Sequence, residues 1–158
     1  MTQTVNPPRT GDMAPDFTLA STVGASVTLS GFRGKSHVLV AFFPLAFTRV
    51  CTAQLCGLSE DFDVFAESGV EVLPISVDAV PSLKEFRAKY DMKGHLLSDF
   101  KREASRAFGV LHEEAYFANR AYFFIDQEGI IRWCYVEEST GHKRENSEVH
   151  AAIKAVMG

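Results

Sequence analysis

The sequence predicts a soluble α/β domain in which helices cover the faces of a central sheet. Two observations lead to this prediction. Short apolar runs with the character of strands alternate along the chain with segments whose apolar residues recur at helical spacing. In addition, residues 38–43 form a continuous apolar run that is typical of a buried strand. So regular an order of strands and helices favours a sheet flanked by helices.

The first half of the chain supplies an N-terminal hairpin, the buried strand and the first helix. Residues 1–14 carry prolines and Gly11 and are predicted to be a lead-in, with 1–10 flexible. In chain order, we expect strands at 17–19 and 27–29 around a turn near Gly24, the strand 37–43, a helix from Cys51 to Ala66 that ends at Gly69, and a strand at 70–77 interrupted by Pro74.

The second half of the chain continues the alternation. Pro81 is a favourable first residue for a helix, and an apolar face follows it. We expect that helix to be followed by an extended piece at 96–98, a brief helix at 102–108 closed by Gly109, a hairpin of strands 121–125 and 130–136, and a last helix from about 144 to 157 with Val149, Ile153 and Val156 facing inward. All 158 residues are predicted to form one domain.

Composition excludes several classes of function. Hydrophobic residues make up 46% of the chain and charged residues 23%, as in ordinary globular proteins. The formal charge of −4 and the lack of a basic cluster argue against nucleic-acid binding. The apolar run ending at Phe43 is far shorter than the roughly 20 residues of a membrane helix. Because residues 1–15 contain no apolar signal core, we expect a cytoplasmic protein without membrane attachment.

The cysteines and histidines favour a catalytic role for a cysteine over a metal site. Three cysteines are too few for a secreted disulfide scaffold, and clustered cysteines in a reducing compartment are more often catalytic or metal-binding. The five histidines show no metal-ligand spacing with the cysteines, so we expect no zinc site and no cofactor. Cys134, in a strand of mixed character, is expected to have a packing role.

The segment from Pro44 to Cys51 carries the strongest chemical signal. The buried strand runs into a proline-bounded loop, and the loop ends in Thr48 and Cys51, which open a helix. A thiol is a poor nucleophile until it loses its proton, and a helix N-terminus favours the anion. Cys51 is therefore a candidate nucleophile, although free cysteines also pack as inert residues in protein cores.

The spacing P-x-x-x-T-x-x-C of residues 44–51 resembles the active-site signature of peroxiredoxins. Further similarities are spread over residues 11–136: the entry strand 14–19, the segments 96–99 and 108–110, and the strand beginning at Asn119-Arg120. The resemblance implies a thioredoxin-like fold, with a central mixed sheet and an inserted N-terminal β-hairpin. It also implies a thiol-dependent peroxidase that reduces hydrogen peroxide and organic hydroperoxides.

The resemblance also implies roles for individual residues. Cys51 would attack the peroxide and become a sulfenic acid. The Thr48 hydroxyl can hold one peroxide oxygen, although threonine is also an ordinary helix N-cap. Pro44 has no N–H and can exclude water, or it can simply end the strand. The Arg120 guanidinium can hold the thiolate and the peroxide together, whereas a single arginine is by default a solvated surface residue.

Cys56 allows two mechanisms. Residues 42–48 and 118–120 resemble the alkyl-hydroperoxidase-E-like branch, whose members often work with one cysteine, and Gln54 stands where many peroxiredoxins have an acid. The C-x-x-x-x-C of residues 51–56 resembles the bacterioferritin-comigratory-protein branch, in which the second cysteine resolves the first. Five helical residues give ~7.5 Å of rise and ~140° of rotation, so a disulfide requires the helix to unwind around 49–57. Gly57 would ease this unwinding. Otherwise Cys56 only packs in the helix, and an external thiol resolves Cys51.

The prediction that follows is a peroxidase in which Cys51 attacks and Cys56 resolves. A thioredoxin- or glutaredoxin-like protein, or a low-molecular-weight thiol, would return the reduced state, and the resemblance also suggests a homodimer. The alternatives are a one-cysteine peroxidase and a peroxide-sensing or holdase protein. A general disulfide oxidoreductase is disfavoured, because the chain has no C-x-x-C motif.

Overall fold

The computed structural model describes residues 6–137 and 145–157, without the side chain of Asn146. The described strands are β1 (Thr18–Ser21), β2 (Val27–Thr28), β3 (His37–Phe42), β4 (Val70–Ser76), β5 (Leu97–Ser98), β6 (Leu111–His112), β7 (Phe117–Ala118), β8 (Ala121–Ile125) and β9 (Ile131–Val136). The described α-helices are α1 (Arg49–Glu60), α2 (Phe62–Glu67), α3 (Val80–Lys89), α4 (Glu103–Ala107) and α5 (Asn146–Met157), and Leu29–Phe32 form a 3-10 turn.

Seven of these strands form one mixed sheet in the order β2-β1-β5-β4-β3-β8-β9. The central pairs β3–β4 and β4–β5 are parallel, whereas β8, β9 and the N-terminal strands pair antiparallel. The predicted α/β class is therefore confirmed, and so are the hairpin β1–β2 and the hairpin β8–β9. The short hairpin β6–β7 forms a separate two-stranded sheet that the sequence pattern did not predict.

Strand β3 is buried on both faces of the sheet. Val38, Val40 and Phe42 pack in a cluster that includes residues of α4, such as Ala104. The alternate residues Leu39 and Ala41 pack in a second cluster with residues of α1, α2 and α5. Beyond the strand, Phe43 joins a third cluster between α1 and α3. Because both faces are covered, a continuous apolar run is stable here, and it carries the chain to the sheet edge where α1 begins.

The prediction of one helix from Cys51 to Ala66 is wrong. Helix α1 ends at Glu60, and Asp61, with a ψ of 9°, separates it from α2. The Asp61 N–H donates to the Gly57 carbonyl, while the Asp61 carbonyl accepts the Phe65 N–H that starts the next helix. The apolar spacing continues through this break, so periodicity alone could not reveal it. Gly69 ends the segment with a φ of 75°, as predicted.

Pro74 lies inside the central strand β4 without breaking the sheet. The Phe43 N–H donates to the Ile75 carbonyl, which shows that odd-numbered residues of β4 bond to β3. Pro74 is even-numbered, so its missing N–H faces β5. That strand pairs only with Ile75 and Ser76 of β4. The proline therefore leaves no ladder hydrogen bond unmade.

The described part of the lead-in lies against the β8–β9 hairpin. The Gly11 N–H donates to the Ile131 carbonyl at 2.7 Å, and the Ala14 N–H donates to the Gly129 carbonyl at 2.9 Å. Residues 1–5, and the predicted start of the last helix at residue 144, lie outside the described residues. Within the part of the chain that is described, no helix combines the length and apolar character needed to cross a membrane.

Candidate active site

Cys51 lies in the first turn of α1, at the end of the loop that follows β3. Thr48 precedes the helix with extended backbone (φ −81°, ψ 154°), and its carbonyl accepts the Thr52 N–H at 2.8 Å. The Cys51 side chain is only 1% exposed. A thiol in this place lies among the free N–H groups of the helix N-terminus, whose partial positive charge favours the thiolate.

Arg120 reaches the same sulfur from a distant part of the chain. It directly precedes β8, whose first residue, Ala121, pairs with Phe42 at the end of β3. This register brings the arginine to the beginning of α1. Its Nη2 donates to Cys51 Sγ at 3.2 Å, and its Nη1 donates to Gln54 Oε1. Arg120 is 1% exposed, so the attraction of its guanidinium for a thiolate is weakly screened by water.

Gln54 orients the arginine from one turn further along α1. The side chain is 3% exposed, and only its oxygen can accept from the guanidinium, which fixes the orientation of the amide. Its Nε2 has no hydrogen-bond partner among the described residues. The amide therefore binds Arg120 without adding a negative charge beside Cys51.

A pocket of about 200 Å³ opens over the cysteine. Its lining residues come from the loop, from α1 and from the strand β7 region: Pro44, Leu45, Thr48, Arg49, Val50, Cys51, Phe117 and Arg120. The Thr48 hydroxyl donates to the Leu45 carbonyl at 2.8 Å, and no side-chain cap of α1 is formed. Pro44 is buried and presents no N–H to the pocket. The structure therefore brings together Pro44, Thr48, Cys51 and Arg120, four of the five predicted site residues.

Cys56, the fifth predicted site residue, does not face the Cys51 sulfur. Both residues belong to the unbroken helix α1, and five helical residues turn the two side chains ~140° apart. The half-buried Cys56 packs against the cluster that contains Leu83 and Phe86. Burial, and secondarily the negative charge of Glu60, raise the pKa of the Cys56 thiol above its ordinary value of 9.0. In this conformation Cys56 is a protonated, packed thiol.

Cys134 and the described histidines lie outside this site. Cys134 is half-buried in β9, with its sulfur 3.9 Å from the Pro8 carbonyl. Within residues 6–137 and 145–157, no group of three or more histidine, cysteine or acidic side chains could hold a metal ion. His142 lies outside these ranges.

Asp78 is a site residue that the sequence reasoning missed. It follows β4, and its Oδ2 accepts the Ala46 N–H at 2.8 Å and the Ser76 hydroxyl at 2.7 Å. One signal was available. The predicted strands 37–43 and 70–77 are joined by a helical segment, a connection typical of parallel strands, and the ends of parallel strands meet at one sheet edge. A carboxylate directly after one strand can therefore reach the loop that follows the other.

These features define a class of protein. The site combines a buried cysteine at a helix N-terminus, an arginine that donates to its sulfur and a proline–threonine loop over a pocket. This combination is typical of a thiol-dependent redox enzyme. The comparison with known proteins makes the class specific. Residues 10–134 match the model of the AhpC/TSA family, and the chain belongs to that family.

The relatives of this chain are peroxidases. It is 40% identical to alkyl hydroperoxide reductase E of Mycobacterium tuberculosis over 130 residues, which cover 81% of this chain and 85% of the relative. It is 35% identical to peroxiredoxin Bcp of Escherichia coli over 147 residues, which cover 89% and 94% of the two chains. The chain is therefore a thiol-dependent peroxidase, as the resemblance predicted.

A solved structure extends the comparison to the fold. The reduced 2-Cys peroxiredoxin of Plasmodium vivax superimposes with a TM-score of 0.88 at 31% identity, and the alignment covers 96% of this chain and 83% of that one. The predicted thioredoxin-like fold is thereby confirmed.

Proposed function

We propose that this enzyme reduces hydrogen peroxide and organic hydroperoxides with the Cys51 thiolate as nucleophile. The observation that carries the proposal is the 3.2 Å contact between Arg120 Nη2 and Cys51 Sγ at the pocket lined by Pro44 and Thr48. A buried guanidinium beside the sulfur favours the thiolate. It also presents N–H donors to the oxygens on which negative charge develops.

The first step is a displacement at oxygen. The Cys51 thiolate attacks the terminal oxygen of the hydroperoxide, the S–O bond forms and the O–O bond breaks. The leaving alkoxide or hydroxide takes a proton from solvent, and Cys51 becomes a sulfenic acid. Arg120 stabilises the developing charge, the Thr48 hydroxyl can turn from the Leu45 carbonyl to the peroxide, and Pro44 excludes a competing donor.

In the second step Cys56 resolves the sulfenic acid. Because both cysteines lie in α1, this step requires unwinding of the segment around 49–57. The Cys56 thiol then attacks the Cys51 sulfur, and the sulfenic oxygen leaves as water. A thioredoxin- or glutaredoxin-like dithiol, or a low-molecular-weight thiol, reduces the disulfide in a final exchange.

A one-cysteine scheme is the second candidate, and the state of Cys56 favours it. The thiol packs against the cluster between α1 and α3, five helical residues and ~140° of rotation from Cys51, and its pKa is raised by burial and by Glu60. A protonated thiol is a poor nucleophile, so an external thiol would reach the sulfenic acid first if α1 stayed wound.

Steady-state turnover distinguishes the schemes. Peroxide consumption is measured for wild type, Cys51→Ser and Cys56→Ser, once with a protein dithiol as reductant and once with a small thiol. Loss in Cys51→Ser alone supports the one-cysteine scheme, whereas loss in both variants with the protein dithiol supports resolution by Cys56. A wild-type protein that stops after one equivalent of peroxide would instead be a sensor or holdase.

We also propose that the enzyme is a cytoplasmic homodimer. Two exposed aromatic side chains support an interface near the site, because their chain neighbours Thr48 and Phe117 line the pocket: Phe47 is 47% exposed and Tyr116 is 43% exposed. Sedimentation of the reduced protein tests this proposal, and a monomer at micromolar concentration would contradict it. Fractionation of expressing cells tests the location.

A further inference from the structure

Asp78 is joined to the loop over Cys51 by a single hydrogen bond at the loop's midpoint. Its Oδ2 accepts the Ala46 N–H at 2.8 Å. Ala46 lies two residues after Pro44 and two residues before Thr48. Pro44 and Thr48, which both line the pocket, therefore flank the residue that the carboxylate holds.

The aspartate is itself fixed to the sheet. The Ser76 hydroxyl donates to the same Oδ2 at 2.7 Å, and the Ser98 hydroxyl donates to the Asp78 carbonyl at 2.6 Å. Both serines are buried and belong to the ends of β4 and β5. Asp78 thus ties the loop to the two neighbouring parallel strands.

The loop conformation needs such an anchor. Phe47, directly after Ala46, has a φ of 68°, a region that side chains other than glycine rarely adopt. Its ring packs 5.0 Å from the ring of Phe86, yet the side chain is 47% exposed. A disfavoured backbone persists only where its surroundings determine it. The Asp78–Ala46 bond is one such constraint, and it directly precedes the disfavoured residue.

Cys51 is held by different contacts. Arg120, which directly precedes β8, donates to its sulfur, and Cys51 lies in the first turn of α1. The donor to the Cys51 sulfur therefore does not belong to the loop that Asp78 anchors.

We propose that Asp78 is a positioning residue for peroxide reduction, because it holds the loop of residues 44–48 in the conformation that places Thr48 and Pro44 over Cys51. This inference rests on the proposed role of Cys51. It predicts that the reaction with peroxide depends on Asp78, whereas the reaction of Cys51 with a reagent that needs no positioning does not.

The test compares two reactions of Cys51 in Asp78→Ala. We expect the rate constant for oxidation by hydrogen peroxide, measured by rapid quench, to fall roughly 10- to 100-fold. The rate of Cys51 alkylation by iodoacetamide should stay within about twofold of wild type, because the thiolate is stabilised by Arg120 and by the helix N-terminus. Asp78→Asn keeps an acceptor oxygen and should restore most of the peroxide rate. Ser105→Ala is a matched control, since it removes a buried hydrogen bond of 2.6 Å to Asp99, and it should leave both rates near wild type.

Three results would overturn the proposal: a peroxide rate in Asp78→Ala within twofold of wild type, a parallel fall of both rates, or an Asp78→Asn variant as slow as Asp78→Ala. If Asp78→Ala does not fold, Asp78→Glu, which moves the carboxylate by one methylene, should show the same selective loss, and a wild-type rate there would reject the role. Failure of the proposed function is recognisable separately, because wild-type Cys51 would then not react with peroxide.

Discussion

Arg120 Nη2 lies 3.2 Å from Cys51 Sγ, although 69 residues separate the two in the chain. Both side chains are 1% exposed. A buried guanidinium without an anion beside it is costly, and a buried thiolate without a cation is costly too, so the two groups stabilise each other when they lie in contact. This pairing links the sheet register of β3 and β8 to the reactivity of the cysteine.

Arg120→Lys should lower the rate of Cys51 oxidation by about 10²-fold or more. The ammonium keeps a positive charge but loses the planar fork that reaches Cys51 and Gln54 together. Rapid-quench oxidation by hydrogen peroxide measures the effect. Arg132→Lys, at an exposed arginine paired with Asp126 at 3.4 Å, is the control and should react like wild type. Equal rates of Cys51 oxidation in Arg120→Lys and Arg132→Lys would contradict a role for the planar guanidinium of Arg120.

Gln54→Glu should slow alkylation of Cys51 at neutral pH several-fold. A buried carboxylate next to Arg120 forms a charged pair with the guanidinium and weakens its attraction for the thiolate. Iodoacetamide labelling followed by peptide analysis measures the rate. Ala53→Glu adds the same charge at the exposed neighbouring position of α1 and should change the rate much less. A similar effect in both variants would trace the change to the helix rather than to Arg120.

One equivalent of peroxide should produce a disulfide between Cys51 and Cys56 together with a loss of helical structure in α1. The two thiols cannot meet in the intact helix, so covalent linkage and unwinding must appear together. Peptide mapping without reductant detects the bond, and amide hydrogen exchange across residues 49–60 detects the unwinding. Cys56→Ser should keep its protection in α1 after the same treatment. A linkage that forms with full protection retained would refute the unwinding step, and absence of the linkage would leave Cys56 without a resolving role.

Raising the pH should lower the stability of helix α1, because the Cys56 thiol loses its proton more easily in the unwound segment than in the helix. Burial and the Glu60 charge raise the pKa of this thiol in the folded helix above 9.0. As the pH rises through that ordinary value, the unwound segment releases the proton before the folded one does, so the unwound state gains stability. Amide exchange in α1 should therefore accelerate in wild type above about pH 9 more than in Cys56→Ser. Equal pH profiles would show that Cys56 does not contribute.

Glu60→Gln should lower the pKa of Cys56 toward its ordinary value, because it removes the second cause of the shift but not burial. In a Cys51→Ser background at pH 8 and low salt, we expect alkylation of Cys56 to rise about two- to threefold, and the difference from wild-type Glu60 should shrink at 1 M salt. The substitution Glu67→Gln, at another exposed acidic residue in α2, provides the control. An increase in the rate of Cys56 alkylation that persists at high salt would indicate a change of packing rather than of charge.

The local sequence pattern was sufficient to predict most of the strands and helices. The apolar runs of β3 and β8, the turn residues between β8 and β9 and the glycine at position 69 depend on interactions within a few residues, and each leaves an apolar run or a turn residue in the sequence. The break at Asp61 and the hairpin β6–β7 left no such signal. The apolar spacing of α1 continues unchanged into α2, and strands of two residues are too short to show a period.

By itself, the sequence determined the α/β class and the placement of a cysteine at the start of a helix behind a proline–threonine loop. Only the tertiary structure decided which groups surround that cysteine. Arg120 reaches Cys51 through the pairing of β3 with β8, and Asp78 reaches Ala46 because β3 and β4 end at the same sheet edge. Periodicity records the face on which a residue lies. Contacts between residues far apart in the chain depend on strand order and register, which periodicity does not encode.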